Sequence, residues 1–599
     1  VTDNNLSTGV EADLGFNSDP TLHVIIAPLA PGAKHDEVEK AILQEIERLK
    51  REGVSASELQ AAIAKTQADA AFKRDGSFAV AEYLNECIAA GDWSLFYALD
   101  DATQQVTTAD IQRVANSYLN EDHSTTGWFV PTVPGSASSA PQKAGRSRLH
   151  GPSYYRSPDA SAASAPTQEG SGEAAPARMS GGRIAPNASR MMIAGIDVIA
   201  YPTGVKNVVS LRASLPAGRS MAGAGNPSIP ALTGMLLDQG TQKQDKFAIT
   251  EKLEAVGASI HFDVGTDLLQ ISAKSLKKDV PLVLELIAEQ LRMPAFSAEE
   301  LLKAKKQYAG SIKRSLEDPD FRAADAFSRA IYPVHHPNRI PDAQDLLAAI
   351  EAARLEDITA FHKAHYGPAQ MKLVLVGDLD LGLVQAELGR SFSGWQDGGK
   401  VVATAFESAA HAPQSQNVVM PDKNSVSVVL GQASGLRYRD PDYQALRLAT
   451  AILGSGFTGR LMAQVRDKEG LTYDVGARLA NDMLVDGDWR IFATFAPELL
   501  EQGLASTKRQ LAMWHESGVT DAEIEARKSS LIGSFKVDLA TTGGMSNALL
   551  SAVNRGYDLT WLDDFPLKVN ALTGEQINGA IRRHLKPDQM VLIKAGTFP

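Results

Sequence analysis

The two ends of this 599-residue chain are written to one plan. Gly53-Val-Ser-Ala-Ser-Glu-Leu59 matches Gly518-Val-Thr-Asp-Ala-Glu-Ile524 at an offset of 465, and Val106-Thr-Thr-Ala-Asp-Ile111 matches Leu572-Thr-Gly-Glu-Gln-Ile577 at 466. Residues 1–133 and 466–599 therefore lie side by side with almost no gap. Both read as strand, long helix, acidic helix start, long helix, short helix and a final apolar strand. In each copy a Thr is placed to cap a helix. A chain of this length exceeds what one hydrophobic core can organise, so tandem domains are expected.

Between the copies, Pro134 to Gly182 is dense in Ala, Ser, Gly and Pro and buries too little apolar surface to offset ordering entropy. It is expected to be a tether, with Tyr154-Tyr155 as a possible anchor. Residues 183–400 read as an α+β domain. Strands are expected at Ile196–Tyr201, Val209–Leu215, Ser259–Val264 and Lys372–Leu379, and helices at Ile229–Leu237 and Val280–Met293. Residues 409–599 repeat that order.

The densest chemical information lies in Leu461–Ala477. A helix from Tyr443 to Leu453 is broken by Gly454-Ser-Gly-Phe-Thr-Gly459, restarts through Arg466, and gives way to a strand from Thr472. Arg466 and Tyr473 are seven residues apart across that junction. A permanently charged fork donor beside a phenolic donor suits holding a peptide carbonyl or a developing oxyanion.

This block resembles the C-terminal half of the pitrilysin/insulinase family of zinc peptidases, which includes the mitochondrial processing peptidases. Gly459-Arg460-Leu461, Arg466 and Tyr473 fit the family pattern, as do Lys372-Leu-Val-Leu-Val-Gly-Asp-Leu379 and Asp440-Pro-Asp-Tyr443. The resemblance implies tandem α/β-sandwich units, here one truncated unit and two complete ones. It also implies an inverzincin zinc site, His-x-x-Glu-His on a helix with a distal Glu. In this chain the helix ending in Gly240-Thr241 places Ala231, Gly234 and Met235 at those positions, and the distal Glu falls near Gly310 or Ser311. No zinc ligand is expected here.

In the repeat register, Arg466 falls opposite Val1 and Tyr473 opposite Thr8, so the first copy lacks both donors. Residues 1–133 are read as the tail of a first half whose larger part is missing. The expectation is the C-terminal portion of a zinc metallopeptidase acting on peptides or unfolded polypeptides. Arg466 and Tyr473 would bind substrate and stabilise the oxyanion, and zinc would sit on the missing N-terminal segment or subunit. Alone, the chain would be inactive. The alternative is a non-catalytic peptide-binding or scaffold subunit. Substrate is expected to add to a sheet edge.

Other motifs carry less. His362 and His365 lack a third convergent ligand. His335-His336-Pro337 reads as a turn, and Gly454-x-Gly-x-x-Gly459 follows a helix where a dinucleotide fingerprint follows a strand. The net charge of -12 gives no basic footprint for nucleic acid, and no apolar run is long enough to span a membrane. Cys87 is the sole cysteine, which excludes an internal disulfide. Family habit suggests the periplasm.

Overall fold

The computed structural model describes residues 6–130, 183–398 and 411–598, except 31, 224, 335, 397 and 484. The tether Pro134–Gly182, Val1 and His335 lie outside the described residues. The first stretch holds strands β1 (Glu11–Leu14) and β2 (His23–Ile26) and helices α1 (His35–Glu52), α2 (Ala56–Phe72), α3 (Ser77–Ala89), α4 (Leu95–Gln104) and α5 (Thr108–Tyr118). From Arg183 come α6 (Ile184–Asn187), β3 (Ser189–Ile193), β4 (Ile196–Pro202), β5 (Val208–Leu215), α7 (Ile229–Met235), α8 (Lys246–Glu254), β6 (Ser259–Val264) and β7 (Leu269–Leu276). Then follow α9 (Val280–Arg292), α10 (Ala298–Ser315), α11 (Pro319–Ile331), α12 (Ala343–Ala352), α13 (Leu355–His365), β8 (Lys372–Gly377) and α14 (Leu381–Phe392). The last stretch has β9 (Gln414–Val419), β10 (Val426–Ala433), α15 (Tyr443–Gly454), β11 (Thr472–Ala480), β12 (Asp488–Phe495), α16 (Leu500–Ser517), α17 (Asp521–Asp538), α18 (Thr542–Asn554), α19 (Thr560–Asn570), α20 (Gly574–His584) and β13 (Val591–Gly596).

The chain divides into two compact units. One is built from β1, β2, α1 and α5, and the other from α2, α3, α4 and everything from Arg183 onward. The segment read as one unit, 1–133, thus contributes to both. In the smaller unit β1 and β2 pair antiparallel, and Gln112 on α5 donates to the carbonyls of Lys50 and Arg51 at the end of α1.

The larger unit is a mixed α/β structure of two sheets flanked by helices. The six-stranded sheet runs β3-β4-β8-β5-β7-β6 and the five-stranded sheet β11-β12-β10-β13-β9. Apart from β3, the two share one topology. β4 lies parallel to β8 as β9 does to β13, and all other pairs are antiparallel. Sequence sets each strand's place. Leu373-Val-Leu-Val376 is a continuous apolar run buried on both faces and sits inside the sheet, whereas β7 alternates. α10 and α11 are separated by a break at Asp318, whose carboxylate caps the Pro-started α11.

One face of the six-stranded sheet packs on α7, α9, α13 and α14, and one face of the five-stranded sheet on α15, α16 and α20. The other faces are covered by exchange. Met545, Leu549, Leu550 and Val553 of α18 lie over Ile199, Val374 and Val376 of the six-stranded sheet. Ala323, Phe327 and Ile331 of α11 lie over Val418, Val429, Ile593 and Ala595 of the five-stranded sheet. Polar pins match: the Ser210 and Thr542 hydroxyls meet at 2.7 Å, and Ser427 donates to Asp320. Tyr332, just after α11, donates to buried Asp488 at 2.9 Å, which is also held by Arg490. Burial and the Asp488 charge push the Tyr332 hydroxyl far up, so it remains a donor.

Candidate functional site

Arg466 and Tyr473 are brought together at the junction of α15 and β11. The last residue of α15, Gly454, lies so close to β11 that a Cβ would come within 2.3 Å of the Ala477 nitrogen. Gly476 faces it, where a Cβ would meet Phe492 at 2.5 Å. Only two residues without side chains allow this approach, and it seats the following turn against the strand. The chain then enters a π-helical segment, Met462–Lys468, carrying Arg466. Such wide turns re-aim side chains and recur at functional sites.

Two contacts fix this segment. Leu461 and Val465 are fully buried in the core beneath it. Arg460 makes a forked pair with Glu523, Nε to Oε1 at 2.6 Å and Nη2 to Oε2 at 2.7 Å, and Nη2 also donates to the Gly518 carbonyl at 3.0 Å. The Arg460 hydrogen bonds pull the Glu523 carboxyl down to about 2 against the opposing effect of burial.

The Arg466 guanidinium lies over two rings, Phe457 and Tyr473, 5.0 Å from each centroid. Tyr473 is 83% exposed and Phe457 70%. β11 is an edge strand, and a bulge between Thr472 and Asp474 interrupts its register at Tyr473. Thr472 secures the bulge by donating to the Thr494 carbonyl and accepting from the Asp474 nitrogen. The result is a cation and a phenol presented together beside an open strand edge. Each ring contact at such a site is worth about 0.5–1 kcal/mol, enough to bias a flexible Arg toward one pose. Phe457 was not singled out from sequence. Its signal was an aromatic placed between glycines in a turn that needs none.

The positions implied for zinc are filled instead by packing. On α7, a Cβ at Gly234 would lie 2.3 Å from the Val264 methyl, so no Glu fits there without displacing β6. Met235 packs against the domain core and Ala231 offers no donor. At the place implied for the distal Glu, on α10, Gly310 has no side chain and the Ser311 hydroxyl donates to the Tyr308 carbonyl at 2.7 Å. Among the described residues no three His, Cys, Asp or Glu side chains gather as a metal site. The residues present do not fit zinc. His362 bonds the Leu291 carbonyl at 2.8 Å, while burial pushes down both His362 and His365. His336 is buried, stacks on Tyr332 at 4.4 Å and accepts from the Asn338 nitrogen, a turn-stabilising role. Gly454–Gly459 follows α15, with no strand before it.

Two family models match this chain: "Peptidase M16 inactive domain" over residues 1–66 and 352–531, and "Insulinase (Peptidase family M16)" over 232–338. The chain belongs to the insulinase family, peptidase family M16. Among M16 relatives, a non-peptidase homolog from Helicobacter pylori is 22% identical over 377 residues, 61% of this chain and 84% of that protein. An uncharacterized zinc protease from Streptomyces coelicolor is 23% identical, covering 59% and 78%. A crystal structure of a peptidase M16 inactive domain from Pseudomonas fluorescens superposes with a TM-score of 0.63 at 26% identity, covering 69% of this chain and 98% of that one. A protease from Helicobacter pylori shares the fold at 18% identity, with a TM-score of 0.62, covering 68% and 99%. The M16 relatives thus include proteins named as proteases and one named as a non-peptidase. No helix among the described residues is long and apolar enough to cross a membrane.

Proposed function

We propose that this chain is the substrate-holding, metal-free part of an M16 peptidase, acting on extended peptides with a zinc-bearing M16 unit. The observation that carries the reading is the pairing of Arg466 with Tyr473 at an exposed strand edge. The guanidinium, steadied between two rings, would hold a substrate carbonyl, and the Tyr473 hydroxyl would donate to a carbonyl oxygen gaining charge. The adjoining edge of β11 would take the peptide backbone as an added strand, reading main chain more than side chains. The chain's own residues supply binding, orientation and hydrogen-bond donation. Metal-activated water would come from the other unit, since Gly234 and Met235 support none here.

A second reading, a peptide-holding subunit that takes no part in cleavage, is favoured by the Gly234–Val264 packing and by the relative named a non-peptidase homolog. Both readings require peptide binding. Fluorescence anisotropy of a labelled unstructured peptide against the purified chain tests that requirement. Saturable binding weakened by Arg466→Ala supports it, and binding unaltered by Arg466→Ala removes the site from the account.

A further inference from the structure

Two arginines from distant parts of the sequence meet at the end of α18. Residues 434–442 join β10 to α15 and carry Arg439, while Arg555 and Gly556 follow α18 directly. Gly556, at φ +74°, lets Arg439 in, since a Cβ there would lie 3.0 Å from the Arg439 Nη1. The Arg439 guanidinium lies over Tyr557, 5.6 Å from the ring centroid, and the Arg555 guanidinium over buried Tyr438 at 3.8 Å. Those two rings are 6.0 Å apart, and Tyr557 stacks on Trp561 at 4.9 Å. Burial raises the pKa of the Tyr557 hydroxyl, and both cations pull against that rise.

Neither guanidinium is compensated. Among the described residues the Arg439 and Arg555 side chains make no ion pair and no hydrogen bond, and the Arg555 Nε is buried without a partner. The carboxylates close in sequence are engaged elsewhere. Asp440 accepts from the Arg437 nitrogen at 2.7 Å, Asp442 from Arg583 and His584, and Asp558 from the Thr560 hydroxyl. The carbonyls that end α18 are used too. Ser551 takes the Arg555 nitrogen, Ala552 the Tyr557 nitrogen, and Val553 both the Gly556 nitrogen and the Lys372 ammonium. Like charges brought to one turn repel, and burial strips their hydration. The ring contacts hold both guanidiniums in place but remove no charge. The group this arrangement lacks is an oxyanion.

We infer that Arg439 and Arg555 hold a carboxylate of a bound acidic peptide, either its free end or an Asp or Glu side chain. A guanidinium presents a planar fork that matches a carboxylate. The Tyr557–Trp561 stack beside it gives the rest of the peptide an apolar wall. The peptide as carrier rests on the proposed function, and the site gives that function an acidic class of substrate. It does so through residues apart from Arg466 and Tyr473, since Arg439 precedes α15 and Arg466 follows it.

The test is fluorescence anisotropy of the full chain with a labelled unstructured peptide ending in Glu residues and a free carboxylate. Its comparison peptide has Gln at those positions and an amidated end. The Glu peptide is expected to bind about tenfold more tightly, the scale of one charge-assisted fork. Arg439→Gln, at an exposed side chain, is expected to remove most of that preference with the thermal melt unchanged. Arg555→Gln is expected to do the same, and Arg439→Gln decides the matter should loss of the Tyr438 contact unfold the other variant. Peptides bearing only the free end or only the Glu side chains identify the source, and a preference carried by either supports the site. Equal affinity for the two peptides, or a preference that survives Arg439→Gln, overturns the inference. The two claims fail separately. A Glu preference lost in Arg439→Gln, with binding indifferent to Arg466→Ala, retains the carboxylate site and sinks the proposed function. Binding that needs Arg466 but shows no Glu preference does the reverse.

Discussion

At the residue scale, the account turns on a guanidinium that lies over two exposed rings. Arg466→Lys keeps the charge but loses the planar fork and its stacking, so peptide affinity should fall about three- to tenfold, read by anisotropy. Retention of full affinity would show that charge alone suffices. That Arg466 and Tyr473 meet was legible in sequence because the helix, the glycine turn and the strand around them were. Phe457 was not, because its ring reaches Arg466 only through the turn that Gly454 seats on β11. What surrounds Gly234 was not legible. Val264 occupies the space beside Gly234, a contact between a helix and a strand 30 residues apart in sequence. Gly234→Glu should therefore cost about 1–3 kcal/mol by overpacking, measured by chemical denaturation, and more if the carboxylate stays buried. A neutral Gly234→Glu would mean the α7–β6 contact is loose.

At the element scale, the π-helical segment is clamped by Arg460 to the start of α17. Half of that clamp was readable, since Thr520-x-x-Glu523 is a capping-box signature and forms one. The other half was hidden, because Arg460 reaches Glu523 across 63 residues. The pairing gives a signed pH dependence. Glu523 titrates lower in the folded chain than its ordinary 4.5, so its contribution is complete above about pH 4.5 and fades as pH falls toward about 2. Glu523→Gln should lower stability at pH 7 and narrow the gap to wild type as the medium is acidified through that window. Thermal melts at pH 7, 4 and 3 check this, and a gap that widens on acidification would contradict it.

At the scale of the whole molecule, the α/β character and most strands of residues 183–598 were legible because apolar runs and alternation report burial directly. The exchange of helices between sheets was not. Leu373-Val-Leu-Val376 says that both faces of β8 are covered, yet nothing local says the second cover arrives from residues 542–554. That exchange should make the two sheets one cooperative unit. Leu549→Ala, at a fully buried position on α18, should cost about 2–5 kcal/mol and lower one shared transition. Two separated transitions, only one of them moved, would show that the sheets fold independently.

The measurement that bears most directly on the central claim is hydrolysis of a quenched-fluorescent peptide by this chain alone and with a purified M16 unit bearing His-x-x-Glu-His. The account predicts no cleavage by the chain alone and cleavage by the pair, reduced on the order of a hundredfold by Tyr473→Phe, the usual cost of losing one oxyanion donor. Cleavage by the chain alone, or a pair whose rate ignores Tyr473→Phe, would contradict it.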